Sequence, residues 1–152
     1  MYLYKYKLDI LAIKNLKELK LFKLGDVISI DKAKNLNPVV LAFVGDAVYS
    51  LFVRERLVFS SDYKTGELNK LSVKEVKATA QAEFYNEIQG LLTEDEISVF
   101  KRGRNAKKPT KSKSASVQEY NVSTGFEALL GFLYVTGNHQ RLNFILNKGK
   151  EN

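Results

Sequence analysis

Apolar residues recur at helical spacing through most of the chain, and capping residues cut the pattern into discrete segments. Ile10, Ile13, Leu16 and Leu19 predict a helix over 8–23, stopped by Gly25 and Asp26, whereas Tyr2, Tyr4 and Tyr6 alternate with Leu3, Lys5 and Lys7 in a strand-like period. After a connector through Asn35, Asn37 as cap and Pro38 at the first helical position open a long helix to about Phe59. Ser60, Ser61 and Asp62 make a turn, Thr65 caps a short helix over 66–71, and Ser72 with Glu75 reads as a capping box for a longer helix to about Gln89. Thr93 with Glu96 repeats the box for a helix from Glu94 to about Arg102, and Ser116 with Glu119 for a long helix ending near Thr136, Gly137 and Asn138. A last helix covers His139 to about Lys148. The pattern predicts an all-α domain of six or seven helices without a solenoid repeat. Its stripe of Val73, Val76, Ala80, Phe84 and Ile88 faces the core or a dimer partner.

Two of these helices carry one acid each in an otherwise apolar run. In Leu41-Ala-Phe-Val-Gly-Asp-Ala-Val-Tyr-Ser-Leu-Phe-Val53 the only charge is Asp46, and apolar residues run nearly all the way round, which predicts a central, buried helix with Asp46 inside the protein. Val122-Ser-Thr-Gly-Phe-Glu-Ala-Leu-Leu-Gly-Phe-Leu-Tyr-Val135 repeats the arrangement with Glu127. An ionised carboxylate left buried and unpaired costs several kcal/mol, so each acid needs a cation, a proton or a water-filled cleft. Gly45, Ala47, Gly125 and Ala128 are small enough to let two helices bring both carboxylates to one metal ion. With no Cys and a single His, His139 at a helix start, zinc is disfavoured, and hard cations with oxygen ligands, Mg²⁺ or Mn²⁺, fit better. The alternative is a pair of structural acids neutralised by Arg or Lys from elsewhere in the core.

Charge sharpens the picture more than composition does. The formal net charge is +7, and residues 101–113 alone hold seven Lys or Arg and no acid, so the basicity is concentrated in one loop between the two acid-bearing helices. A polyanionic partner is the expectation, against a solvated insertion that binds nothing in particular. Arg102, Arg104, Lys107 and Lys108 are the candidate phosphate contacts, and Gly103 and Asn105 suit a turn among them. The absence of Cys, of a signal-peptide pattern over Met1–Lys7 and of any apolar stretch approaching the ~18 residues of a membrane span predicts a cytoplasmic protein without a membrane partner.

Leu41-Ala-Phe-Val-Gly-Asp-Ala-Val48 resembles the signature of ribonuclease III endonuclease domains, and Phe126-Glu-Ala-Leu-Leu-Gly131 resembles that family's second metal-binding segment. With Arg102-Gly-Arg-Asn-Ala-Lys107 and Ser123-Thr-Gly-Phe-Glu127, the chain looks specifically like the Mini-ribonuclease III family over about Asp31 to Leu146. Residues 1–30 are then an N-terminal extension of unclear role, and 31–152 a catalytic domain with a basic loop at about 101–115. Two positions depart from full-length ribonuclease III: Ala42 stands where those enzymes carry a glutamate, and Thr124 where they carry an aspartate. Mini-ribonuclease III proteins share this reduced carboxylate set.

The resemblance implies a homodimer with two active sites along one groove, each cutting one strand of duplex RNA. Mg²⁺, or Mn²⁺ in its place, is held by Asp46 and Glu127, and the ends are 5′-phosphate and 3′-hydroxyl. It further implies a role in maturing the large-subunit (23S) ribosomal RNA precursor, with a possible helper ribosomal protein. No double-stranded-RNA-binding domain is expected after the last helix, so the catalytic domain itself holds the RNA. Arg102, Arg104, Asn105, Lys107 and Lys108 are its candidate RNA contacts, and Tyr120, Asn121 and Thr124 could reach a phosphate or a water near Glu127. Two other functions compete: a non-catalytic binder of structured RNA with the same fold, and an all-α DNA-binding or protein-interaction module in which the acids are structural.

Overall fold

The computed structural model describes residues 25–108 and 115–150. The strand-like Tyr2–Lys7 stretch, the helix expected over 8–23 and the middle of the basic segment lie outside these residues. The described residues form α1 (Ile30–Asn35), α2 (Pro38–Ser60), α3 (Thr65–Val76), α4 (Ala78–Ile88), a 3₁₀ turn (Gln89–Leu91), α5 (Glu94–Asn105), α6 (Val117–Val135) and α7 (His139–Leu146), and no strand among them. None of these helices is long and apolar enough to cross a membrane.

Local signals set most of the starts. The Asn37 side chain accepts from the Val39 N–H at 2.9 Å and Pro38 takes the first helical position, so α2 begins where the chain predicts. Both reciprocal capping boxes form: Glu96 N–H to Thr93 Oγ1 and Thr93 N–H to Glu96 Oε2 open α5, and Ser116 with Glu119 does the same for α6. Gly137, in the left-handed region at φ 73°, ends α6, with its own N–H on Tyr134 O and the Asn138 N–H on Leu133 O.

Three expectations fail here, the first being the Thr65 cap: Thr65 is the first residue of α3 itself, and no side chain caps that helix. The Ser72–Glu75 box does not start a helix: Ser72 is buried inside α3 and its hydroxyl donates back to Asn69 O, while Glu75 pairs with Arg56 of α2. The break falls instead at Lys77, where the backbone turns extended and the buried Gln81 side chain donates to the freed Val76 carbonyl. That break also splits the apolar stripe, so Phe84 and Ile88 enter the core while Val73 stands 66% exposed. The basic segment departs as well, since α5 continues to Asn105 and makes residues 101–105 helical.

Helix α6 is the centre, buried through Ser123–Phe126 and Ala128–Leu133 and packed on by α2, α4 and α5. Its contact with α2 is made backbone to backbone. A Cβ placed on Gly45 would lie 1.7 Å from the Glu127 carbonyl oxygen, and one on Gly131 would lie 1.9 Å from that of Leu41. A second close approach joins α5 to α6, where a Cβ on Gly103 would meet that of Ala128 at 2.7 Å and one on Gly125 would meet the Phe100 ring and carbonyl at 2.7 Å. Around these contacts Tyr49, Phe84 and Phe126 form a ring cluster with centroids 5.1–5.7 Å apart.

Because the atoms facing Gly45 are backbone and cannot rotate away, Gly45→Ala is expected to lose about 2–3 kcal/mol in urea unfolding despite alanine's better helix propensity. Gly66, also helical but with nothing within 4 Å of its Cβ position, is expected to gain up to about 1 kcal/mol as Gly66→Ala. Equal effects at the two positions would refute the close-packing account.

Candidate active site

Gly45 places its neighbour Asp46 beside the middle of α6, because the Gly45 backbone sits on the Glu127 carbonyl itself. The expectation that Asp46 is buried is corrected by the structure. The covered face of α2 is Leu41, Ala42, Gly45, Tyr49, Val53 and Leu57, at spacings of three and four, and Asp46 lies off it, exposed in the single chain. The apolar run around Asp46 is long, yet only one face of it meets the core. Val40, Phe43 and Leu51 are exposed apolar residues on the other side, Phe43 by 82%.

Glu127 is partly buried between fully buried neighbours, and its pKa is raised from 4.5 to about 7. Burial is the main cause, the Asp46 charge adds to it, and the Gln81 amide works the other way. Neither acid has an ion-pair partner among the described residues, whose bridges are Lys34–Asp95, Arg56–Glu75, Arg141–Glu96 and Lys148–Glu87. The contrast with Glu96 is informative. Burial opposes its ionisation too, but a two-pronged bond from Arg141, 2.7 and 2.8 Å, and the Thr93 backbone N–H hold its carboxyl below the usual range. Glu127 faces a second acid where Glu96 faces an arginine.

No third His, Cys, Asp or Glu joins the pair among the described residues. Ala42 and Thr124 are both buried, and the Thr124 hydroxyl donates to Tyr120 O at 2.9 Å, one turn back along α6. Two carboxylate oxygen donors are a set that suits Mg²⁺, an ion that keeps several waters and is held by one or two carboxylates. The basic residues divide by what they touch. Arg102 donates to the carbonyls of Lys34 and Leu36, tying the end of α1 to α5. Lys108 donates to the Arg104 and Ala106 carbonyls and to Asn121 Oδ1 at 2.8 Å, and lies over the Tyr120 ring. Arg104 lies over Phe100 and donates to the Asn105 side chain, while Asn105 and Lys107 are exposed. Gln81 is the residue at this site that sequence reasoning passed over. The available signal was an amide at position 81 in helical register with Phe84 and Ile88, the buried face of α4.

Residues 39–138 match the Ribonuclease III domain family. The chain is 44% identical over 124 residues to a Mini-ribonuclease 3 of Clostridium tetani, covering 81% of this chain and 82% of that protein. It is 50% identical over 112 residues to a Mini-ribonuclease 3 of a Thermoanaerobacter species, covering 74% and 79%. Its fold resembles a crystal structure of a Fusobacterium nucleatum protein with a TM-score of 0.68 at 31% identity, covering 74% of this chain and 90% of that one.

The raised Glu127 pKa sets a pH dependence. Without metal the folded protein keeps a proton that the unfolded chain releases near pH 4.5, so stability falls as pH rises from about 4.5 to about 7 and stays low above it, by on the order of 3 kcal/mol. Glu127→Gln is expected to flatten that fall and to exceed the wild type in stability at pH 8. Urea unfolding at pH 5 and pH 8 in EDTA checks this, and a wild-type stability that rises across the window would refute it.

Proposed function

Because the chain belongs to the Mini-ribonuclease 3 branch of the ribonuclease III family, we propose that this nuclease hydrolyses double-stranded RNA at a Mg²⁺ site made by Asp46 and Glu127. The single observation that carries the reading is the pairing of two carboxylates without a cation, one partly buried and pushed up to about pKa 7 beside the other. Such a pair is unfavourable as structure and suits a divalent ion, with Mn²⁺ able to replace Mg²⁺. When bound, the ion polarises the scissile phosphate and makes a water nucleophilic near neutral pH, so no protein nucleophile is needed and the ends are 5′-phosphate and 3′-hydroxyl. Asp46, on the open side of α2, supplies the oxygen that solvent and RNA reach first. Glu127, walled by α6 and α4, supplies one whose position the core dictates.

Duplex RNA is recognised by shape and phosphates rather than by base edges. Arg104, Asn105 and Lys107, at the open end of α5, are the proposed phosphate contacts. Arg102 and Lys108 act one step back, as anchors of the segment, since their donors are engaged by protein carbonyls and by Asn121. The exposed stripe of Val40, Phe43, Ala47 and Leu51 on α2 supports a homodimer, because an apolar face of this kind on a soluble domain marks an association surface. It runs past Asp46, so a dimer closed on this stripe would bring its two sites toward one groove. The natural substrate proposed, from the family resemblance, is the large-subunit ribosomal RNA precursor in the cytoplasm, with a ribosomal protein as possible helper.

Asp46→Asn is expected to keep the fold and to lower Mg²⁺-dependent cleavage of a long RNA duplex by about 10³-fold, read on a denaturing gel with matched unfolding curves. Binding of duplex without cleavage by the wild type would favour the non-catalytic RNA-binding alternative. Phe43→Glu is expected to shift the protein from dimer to monomer in sedimentation velocity. An unchanged sedimentation coefficient would remove the α2 stripe as the interface.

A further inference from the structure

Gln81 is 1% exposed, on the buried face of α4 that packs against α6. Its amide has four hydrogen-bonding valences, of which one is visibly used: Nε2 donates to Val76 O at 2.9 Å, and Oε1 has no partner. The orientation of the amide follows from that bond, because only the nitrogen can meet a carbonyl. Val76 is the last residue of α3, so the bond moors the side chain to backbone at the α3–α4 break. The second Nε2 hydrogen closes no other bond of ordinary length, and across the contact of α4 with α6 the Glu127 carboxylate is the acceptor beside the amide. A buried, half-satisfied amide is expensive to keep where a leucine would pack, which calls for a role beyond filling space.

We propose that Gln81 is a positioning residue, its amide moored on the Val76 carbonyl and holding the Glu127 carboxylate in the orientation that a divalent cation requires. The inference rests on Asp46 and Glu127 being metal ligands. It adds that the rotamer of Glu127 is set from α4 rather than by α6 alone. A purely structural role, capping the end of α3, makes a different statement: removing the amide would lower stability and leave metal affinity untouched.

The test compares the full-length wild type with Gln81→Leu, Gln81→Met and Thr79→Val. The last removes a neighbouring buried hydroxyl that also lacks a partner. Mn²⁺ binding is measured by calorimetry without RNA, beside unfolding curves and the Mg²⁺ dependence of duplex cleavage. Both Gln81 variants are expected to bind Mn²⁺ about tenfold more weakly or worse, the usual loss when a group that orients a ligand is removed. At limiting Mg²⁺ their kcat should fall by a similar factor, with KM for duplex changed by less than about twofold, while Thr79→Val behaves as wild type. Wild-type Mn²⁺ affinity in folded Gln81→Leu and Gln81→Met would overturn the proposal. A measurement on the intact chain guards against misfolded variants: the Gln81 side-chain amide resonances of the wild type should shift on adding Mg²⁺ and stay fixed in Glu127→Gln. Resonances that do not move in the wild type would also overturn it. A wild type that binds no Mn²⁺ would instead bring down the metal-site reading itself, and this inference with it.

Discussion

Two helix backbones touch where Gly45 faces the Glu127 carbonyl and Gly131 faces that of Leu41, and the arrangement of the domain follows from that contact. Helix axes this close leave no room for side chains between them, so the register of α2 on α6 is fixed to within a fraction of a residue. The register in turn decides which side chains flank the contact. Asp46 comes next to Gly45 in the chain and Glu127 is the residue whose carbonyl Gly45 meets, so the two acids are brought together by the glycines rather than by any attraction of their own. Gly103 and Gly125 repeat the device for α5, whose last turn carries Arg102 and Arg104.

The cost of that register is electrostatic. Burial disfavours the Glu127 charge and the nearby Asp46 adds to the penalty, so the protein holds an unfavourable charge arrangement through its packing. Elsewhere the fold pairs a buried acid with a cation. Glu96, which burial also disfavours, serves at once as the closing half of a helix cap and as the seat of the Arg141 fork, whose remaining donor reaches Leu91 O. The same chain thus treats two acids in opposite ways. The one left without a cation is the one beside another acid, and the proposed divalent-ion site rests on that difference.

Helix α2 serves two environments with one apolar composition. Its inner face, from Leu41 through Leu57, packs against α6, and its outer face exposes Val40, Phe43 and Leu51. Asp46 stands where these faces meet, open to solvent and next to the apolar stripe. The positive residues in the last turn of α5 and just beyond it are likewise divided by what they touch: Arg102 and Lys108 have backbone and Asn121 acceptors within reach, whereas Lys107 has solvent.

Much of this protein is local and therefore legible in its sequence. The start of α2 at Asn37 and Pro38, the Thr93–Glu96 and Ser116–Glu119 boxes and the stop at Gly137 each depend on a few adjacent residues, and all of them form. The identity of the two acid-bearing helices was equally plain, because a single charge in a long apolar run is visible without knowing what surrounds it. Ser72 shows the limit of local reasoning, since its box was open to competition from the Asn69 carbonyl and from Arg56, a partner distant in sequence. Asp46 shows another: a helix apolar on every side reads as buried on every side, and only the packing on α6 reveals which face the single chain covers. Gln81 and Arg102 complete the case. The amide beside Glu127 and the guanidinium on the Lys34 and Leu36 carbonyls owe their roles to neighbours far along the chain. Residue type and spacing determine which helices form and which acids they carry, whereas exposure, pairing and charge balance are properties of neighbours that only the folded chain brings together.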